Sequence, residues 1–246
     1  MNKFACLLAL SVIVVFSFAP LGLAQTPVVV DLFTSEGCSS CPPADAELLK
    51  LSQQRTLGGA ELILLGEHVD YWNYIGWTDR FSSAQFSQRQ SDYGNALHSS
   101  VYTPQMVIDG SVQFVGNDAS EVQRSIAAAA KAAKLAQVAL RWEGNNRLHV
   151  SVQSPAQSRI KVLLAITEDG LSTSVQAGEN GGRTLHHAAV VRQLRELGQA
   201  DKGAFEADVD VAPRSDWNAA NLKLAVLAQD VATLKILGAA TVAYKH

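Results

Sequence analysis

The chain has 246 residues, 48% hydrophobic and 17% charged, with 20 Lys+Arg against 23 Asp+Glu. That is enough for one large domain or two modest ones, and the ordinary apolar fraction excludes collagen-like, coiled-coil and disordered classes. The mildly negative balance and the lack of a basic patch exclude nucleic acid and anionic membrane as expected partners.

The first segment reads Met1-Asn2-Lys3, an apolar stretch from Phe4 to Phe18, then Pro20, Gly22 and Ala24. A basic start, an apolar core and a small-x-small site predict a signal peptide over 1–24, cleaved near Ala24. The stretch is shorter than the roughly 20 residues a spanning helix needs. Cleavage removes Cys6 and Lys3. No second apolar run of spanning length follows, so no membrane span is expected afterwards. A periplasmic or secreted location follows, where thiols tend to oxidise.

Residues 25–135 alternate element types. Val28–Phe33 is a β-branched run that predicts a buried strand. Ala44, Leu48 and Leu51 recur at helical spacing until Gly58-Gly59. Glu61–Gly66 predicts a second strand, and Phe86, Arg89 and Tyr93 share a helical face between Asp79 and Leu97. Gln105–Ile108 and Val112–Val115 flank Asp109-Gly110, a strong hairpin signal. Asp118 and Glu121 form a capping box for an alanine-rich helix running to about Leu135. Parallel strands joined by helices are expected here.

Residues 136–246 read differently. Leu148, Val150 and Val152; Ile160, Val162, Leu164 and Ile166; Phe205, Ala207, Val209 and Val211; and Leu222, Leu224 and Val226 alternate as strand positions. Gly144-Asn145-Asn146 and Gly178–Gly182 read as turns between strands, while Leu185–Leu197 fits strand or helix. The expected fold is an α/β domain over 25–135 followed by an all-β, antiparallel sandwich-like domain over 136–246.

Two cysteines remain after the leader, Cys38 and Cys41, spaced C-x-x-C between a strand and a helix start. One pair in a chain this long implies chemistry or a metal site rather than a disulfide scaffold. A helix N-terminus favours a thiolate on Cys38, and Cys41 one turn on can resolve a mixed disulfide. Pro42 and Pro43 are tolerated because a first turn has few amide donors to lose. In this topology Thr103-Pro104, just before the hairpin, is placed for a cis bond facing the pair, leaving the Thr103 backbone free to pair with a substrate.

These features together resemble the thioredoxin fold across residues 26–135. The stretches LFTSEGCSSCPPAD, HVDYWNYIGW, YTPQMVIDG and AGENGGRTLHHAAVVR further resemble a family of secreted bacterial proteins catalogued as domain of unknown function number 1223. The resemblance implies a thioredoxin-like domain with a second module and supplies no substrate. It also implies a role for Asp31 as proton acceptor for Cys41, since thioredoxins hold a buried acid on the corresponding strand.

His68, Asp70, Tyr71, Trp72, Tyr74 and Trp77 follow the second strand at the sheet end where ligands bind. They fit either a peptide groove or a cap on the core. Arg89 and Tyr93 fit a salt-bridged structural role. His186 and His187, adjacent on a strand, point to opposite faces and read as an edge strand.

Three functions fit. The first is a thiol–disulfide oxidoreductase for protein or peptide thiols and disulfides, with Cys38, Cys41 and Asp31 as its chemistry. Thr103, Pro104, His68 and Trp72 then bind substrate, and neither a cofactor nor a metal is needed. The second is a Cu(I) binding or delivery protein using both thiolates. The third is a non-catalytic binding module with a static Cys staple, although closing so short a loop stabilises little.

Overall fold

The computed structural model describes residues 25–144, 146–155, 159–200 and 202–245. The expected signal peptide over 1–24, Cys6 included, and Asn145 of an expected turn lie outside the described residues.

The β-branched run becomes β1 (Thr26–Thr34), parallel and in register with β3 (Ala60–His68) from Thr26↔Ala60 to Thr34↔His68. Helix α1 (Pro42–Gln54) connects them, ending beside the two-residue strand β2 (Thr56–Leu57). After α2 (Ala84–Ala96), β4 (Gln105–Ile108) pairs antiparallel with β1, and β5 (Val112–Val115) pairs with β4. Helix α3 (Ala119–Ala129) follows, capped by the Asp118 side chain accepting from Glu121 N. It stops short of the expected Leu135.

Alternate residues of β1 serve opposite faces of the sheet, as strand geometry requires. Val28, Val30 and Leu32 pack with Ala44, Leu48 and Leu51 of α1 and Val122 and Ile126 of α3. Val29 and Phe33 pack on the other side, with Phe86 and Tyr93 of α2.

The remaining strands are β6 (Gln137–Gly144), β7 (Arg147–Gln153), β8 (Ile160–Glu168), β9 (Leu171–Ser174), β10 (Thr184–His187), β11 (Val190–Ala200), β12 (Ala204–Asp210), β13 (Leu222–Asp230) and β14 (Ile236–Ala243). The segment compatible with strand or helix is thus two strands, β10 and β11.

The fold class expected from sequence is corrected at this point. There is no α/β domain followed by a separate all-β domain. A nine-stranded mixed sheet runs β14-β13-β8-β11-β3-β1-β4-β5, with β2 beside β3. The seam is narrow. Val190 of β11 pairs with Gly66 of β3, and Gly66 N donates to Ala189 O at 2.7 Å. A Cβ at Gly66 would lie 3.1 Å from Ala188 O, so glycine is what lets the two strands meet.

The cores show why the sequence pattern misled. Val162, Leu164 and Ile166 of β8 face Leu148, Val150 and Val152 of the small sheet β12-β7-β6. Leu163 and Ala165, between them in sequence, face Val29, Ile63, Leu65 and Phe86 from the first half. β8 is therefore buried on both faces. Its run is continuous rather than alternating, which is the mark of an internal strand.

Candidate functional site

The chain leaves β1 at Thr34 and turns twice before α1. Cys38 N donates to Ser35 O and Cys41 N to Cys38 O, both at 3.2 Å. Gly37 fits because a Cβ there would sit 3.1 Å from Trp72 Cβ. Cys41 is the N-cap of α1, in helical conformation, and Pro42 and Pro43 take the first helical positions. Cys38 and Cys41 form a disulfide with Cα atoms 5.4 Å apart. Both cysteines are fully buried, while Ser39 and Ser40 between them are exposed.

Three other segments close around this loop. The Thr103–Pro104 peptide is cis, and Ser40 Oγ donates to Thr103 O at 3.5 Å. Trp72 Nε1 donates to Thr103 Oγ1 at 2.8 Å. From the second half, Asn180 Nδ2 donates to both Glu36 O and Cys38 O, each at 2.9 Å. Arg183 Nη1 holds the Asn180 Oδ1 at 2.8 Å, and Glu179 Oε2 accepts from Ser39 N at 3.1 Å. The loop over 177–183 therefore covers the disulfide.

Beneath it lies a cluster of buried ionisable groups. His68 Nδ1 is 2.7 Å from Asp79 Oδ2, and the Asp79 carboxylate also accepts from Glu36 N and Phe81 N. Burial opposes both charges, yet the pairing prevails. It holds the His68 imidazolium above its ordinary pKa and the Asp79 carboxyl below its own. His187 Nε2 lies 3.3 Å from Glu36 Oε1, outside hydrogen-bond geometry, and Trp77 Nε1 donates to Glu36 Oε2 at 2.8 Å. The His68 and His187 rings meet edge to face at 4.8 Å between centroids. Asp45, on the first turn of α1, is also buried, and desolvation pushes its carboxyl above the usual range.

The residues expected from sequence are divided by the sheet. Cys38, Cys41, Trp72, Thr103 and Pro104 share one neighbourhood. His68 lies beneath it, buried, rather than on an exposed groove. Asp31 is not brought to Cys41. It points to the α2 face, where Arg89 Nη2 donates to Asp31 Oδ1 at 2.9 Å and Arg89 Nε to Glu67 Oε1 at 3.0 Å. Arg89 and Tyr93 belong to this second network, with Gln229.

Sequence reasoning missed Glu36, Asp45, Asp79 and Asn180, and it read His187 only as part of an edge strand. A signal was present: Glu36 and Asp45 flank the Cys pair, and the stretches carrying the family resemblance converge on it. His187 is buried and His186 exposed, as adjacent strand positions must be. Which face was buried was not readable. Among the described residues, no group of three or more His, Cys, Asp or Glu side chains is arranged to hold a metal ion. None of their helices is long and apolar enough to cross a membrane.

One solved structure agrees with this architecture. The X-ray structure of protein AGR_C_4864 from Agrobacterium tumefaciens is similar, with a TM-score of 0.72 and 26% identity. The alignment covers 89% of this chain and 94% of that one. A domain of the outer membrane lipoprotein Omp28 from Porphyromonas gingivalis matches at 14% identity and a TM-score of 0.26, over 45% of this chain and 94% of that one. No curated protein matches the sequence. The model of one family, described as "Protein of unknown function (DUF1223)", matches residues 29–229, and the chain belongs to that family.

Proposed function

We propose that the protein is a secreted or periplasmic thiol–disulfide oxidoreductase acting on protein or peptide substrates through Cys38 and Cys41. The observation that carries this reading is the Cys38–Cys41 disulfide at the N-terminus of α1, beside exposed Ser39-Ser40 and half-buried Thr103. The positive end of the helix dipole favours the thiolate that exchange requires. In that reading Cys38 attacks a substrate disulfide, and its electron pair makes the new S–S bond while one substrate sulfur departs as thiolate. Cys41 then attacks the mixed disulfide, which re-forms Cys38–Cys41 and releases the second substrate thiol. Thr103 and Pro104 align the substrate backbone. The short apolar leader with its small-residue site supports the location.

Insulin reduction and refolding of scrambled ribonuclease test the proposal, with Cys38→Ser as control. The expected result is turnover in at least one assay that Cys38→Ser abolishes. Absence of exchange with any small or protein disulfide would remove this reading.

A further inference from the structure

A disulfide cannot be reduced without somewhere for its charge to go. Two electrons enter, and each sulfur that leaves as thiolate must be protonated or compensated. Here both cysteines are fully buried, so a dithiol reaches Cys38 only as the covering loop over 177–183 gives way, while the departing Cys41 sulfur, at the N-cap of α1, keeps its buried neighbours. The protons must pass through neighbouring groups.

The neighbourhood contains buried polar atoms without a hydrogen-bond partner, Glu36 Oε1 and both ring nitrogens of His187, while the buried Asp45 carboxyl has only the Thr34 hydroxyl as side-chain hydrogen-bond partner. Unpartnered buried groups are costly, and their concentration at one place asks for a function. Asp45 lies four residues after Cys41. Because Cys41 is itself in helical conformation (φ −78°, ψ −36°), the two side chains share one helix face, a single turn apart. From the second half, β10 packs against α1 and brings His187 into the electrostatic field of Asp45.

We infer that Asp45 and His187 form the proton-transfer pair of the Cys38–Cys41 disulfide, Asp45 giving its proton to the departing Cys41 sulfur and His187 restoring it. This rests on the reading of the cysteine pair as redox-active. The reductant is a dithiol. One of its thiolates bonds to Cys38 Sγ as the Cys38–Cys41 bond breaks, and the electron pair leaves on Cys41 Sγ. The Asp45 carboxylic acid protonates that sulfur and becomes a carboxylate, and a proton drawn from solvent returns to it by way of His187. The dithiol's second thiolate then displaces Cys38 from the mixed disulfide, so the dithiol is oxidised and the cysteine pair reduced. Oxidation runs the same path backwards, with the Asp45 carboxylate taking the Cys41 proton.

The surroundings suit this exchange. Asp45 faces Thr34 of β1, His68 of β3, Asp79 of the loop between β3 and α2, and His187 of β10, and Glu36 lies against His187. Burial pushes the Asp45 carboxyl above the usual carboxylate range, which favours the protonated form that a donor needs. The Asp79 charge is committed to His68. Arg80 and Arg192 stand one ring away, stacked over Phe81, which itself touches both histidines.

The test is the rate of reduction of the protein's own disulfide by dithiothreitol, followed upward from the usual carboxylate range for as far as the protein stays folded and expressed per dithiothreitol thiolate. In the full chain this rate falls as pH rises through an inflection, where the acid form of Asp45 is lost. Asp45→Asn and His187→Gln are at least tenfold slower on the acid side of the wild-type inflection and lack it, whereas Asp45→Glu retains it. A wild-type profile without an inflection overturns the inference, and needs no variant. So do variants that keep the wild-type profile, or that slow uniformly while the inflection stays, which marks a structural role. The readout is independent of protein substrates: failure in the insulin and ribonuclease assays with the inflection present removes the proposed function alone.

Discussion

Asn180 donates a 2.9 Å hydrogen bond to the carbonyl of Cys38, a residue 142 positions away in sequence. The second half of the chain therefore helps build the loop that holds the cysteine pair. The same amide satisfies Glu36 O, and Asn180 itself is fully buried.

Removing that amide leaves buried acceptors short of a donor. Asn180→Ala is expected to lower stability by about 1–3 kcal/mol with the disulfide intact, measured by urea denaturation. In the reduced protein it is also expected to speed alkylation of Cys38 by iodoacetamide, because the 177–183 cover loses its latch. Unchanged stability and unchanged alkylation would show that the cover is held by other contacts.

Arg89 bridges two fully buried carboxyl groups, Asp31 and Glu67, which β1 and β3 present to the same face. Taking away the Arg89 guanidinium strands buried Asp31, its partner at 2.9 Å, at a cost of about 3–5 kcal/mol. Arg89→Met should show a loss of that size in denaturant unfolding, far more than removal of an exposed ion pair. A loss below about 1 kcal/mol would mean the carboxyl groups find other partners.

Glu67 gives this network a pH signature. Burial, only partly offset by Arg89, pushes its pKa from 4.5 up to about 8. Between those values the folded protein holds the proton and the unfolded chain has released it. Stability contributed by Glu67 is therefore present below the unfolded pKa and is lost as pH rises toward 8, at up to about 1.4 kcal/mol per pH unit. Glu67→Gln should flatten the decline, so the variant gains on the wild type from pH 5 to pH 8. Parallel stability curves for the two proteins would contradict the assignment.

Gly110 sits in the β4–β5 turn at φ +60°, where an added Cβ would lie 2.2 Å from Leu234 O. Gly110→Ala combines left-handed strain with a clash against backbone, and at least about 2 kcal/mol of destabilisation is expected. Gly59→Ala, at φ +90° in open space, carries the backbone penalty alone. Thermal unfolding of both variants separates the contributions, and equal losses would show the turn relaxing away from Leu234.

What was legible in the sequence follows from how local each signal is. The hairpin strands Gln105–Ile108 and Val112–Val115 stand as read, because Asp109-Gly110 marks the turn between them and both residues take positive φ. The cysteine pair at the start of a helix was likewise carried by neighbouring residues. The continuity of the large sheet was not, since it depends on Gly66 meeting Ala189 across the chain and on β8 serving two cores at once. Reading Val162, Leu164 and Ile166 as one buried face passed over Leu163 and Ala165, whose burial on the other face ties the halves together. Asp31 looked suited to the cysteines because it lies on the right strand. Strand alternation turns it to the α2 face, and the acid one turn from Cys41 is Asp45, supplied by the helix.

Trapping a mixed disulfide tests the central claim most directly. The Cys41→Ala variant, reduced and then mixed with a disulfide-containing peptide, lacks the resolving thiol. The account predicts a stable adduct of one peptide on Cys38 by mass spectrometry, absent from the Cys38→Ser variant and absent from wild type, which resolves it. No adduct on Cys38, or an adduct that persists equally in the wild type, would contradict it.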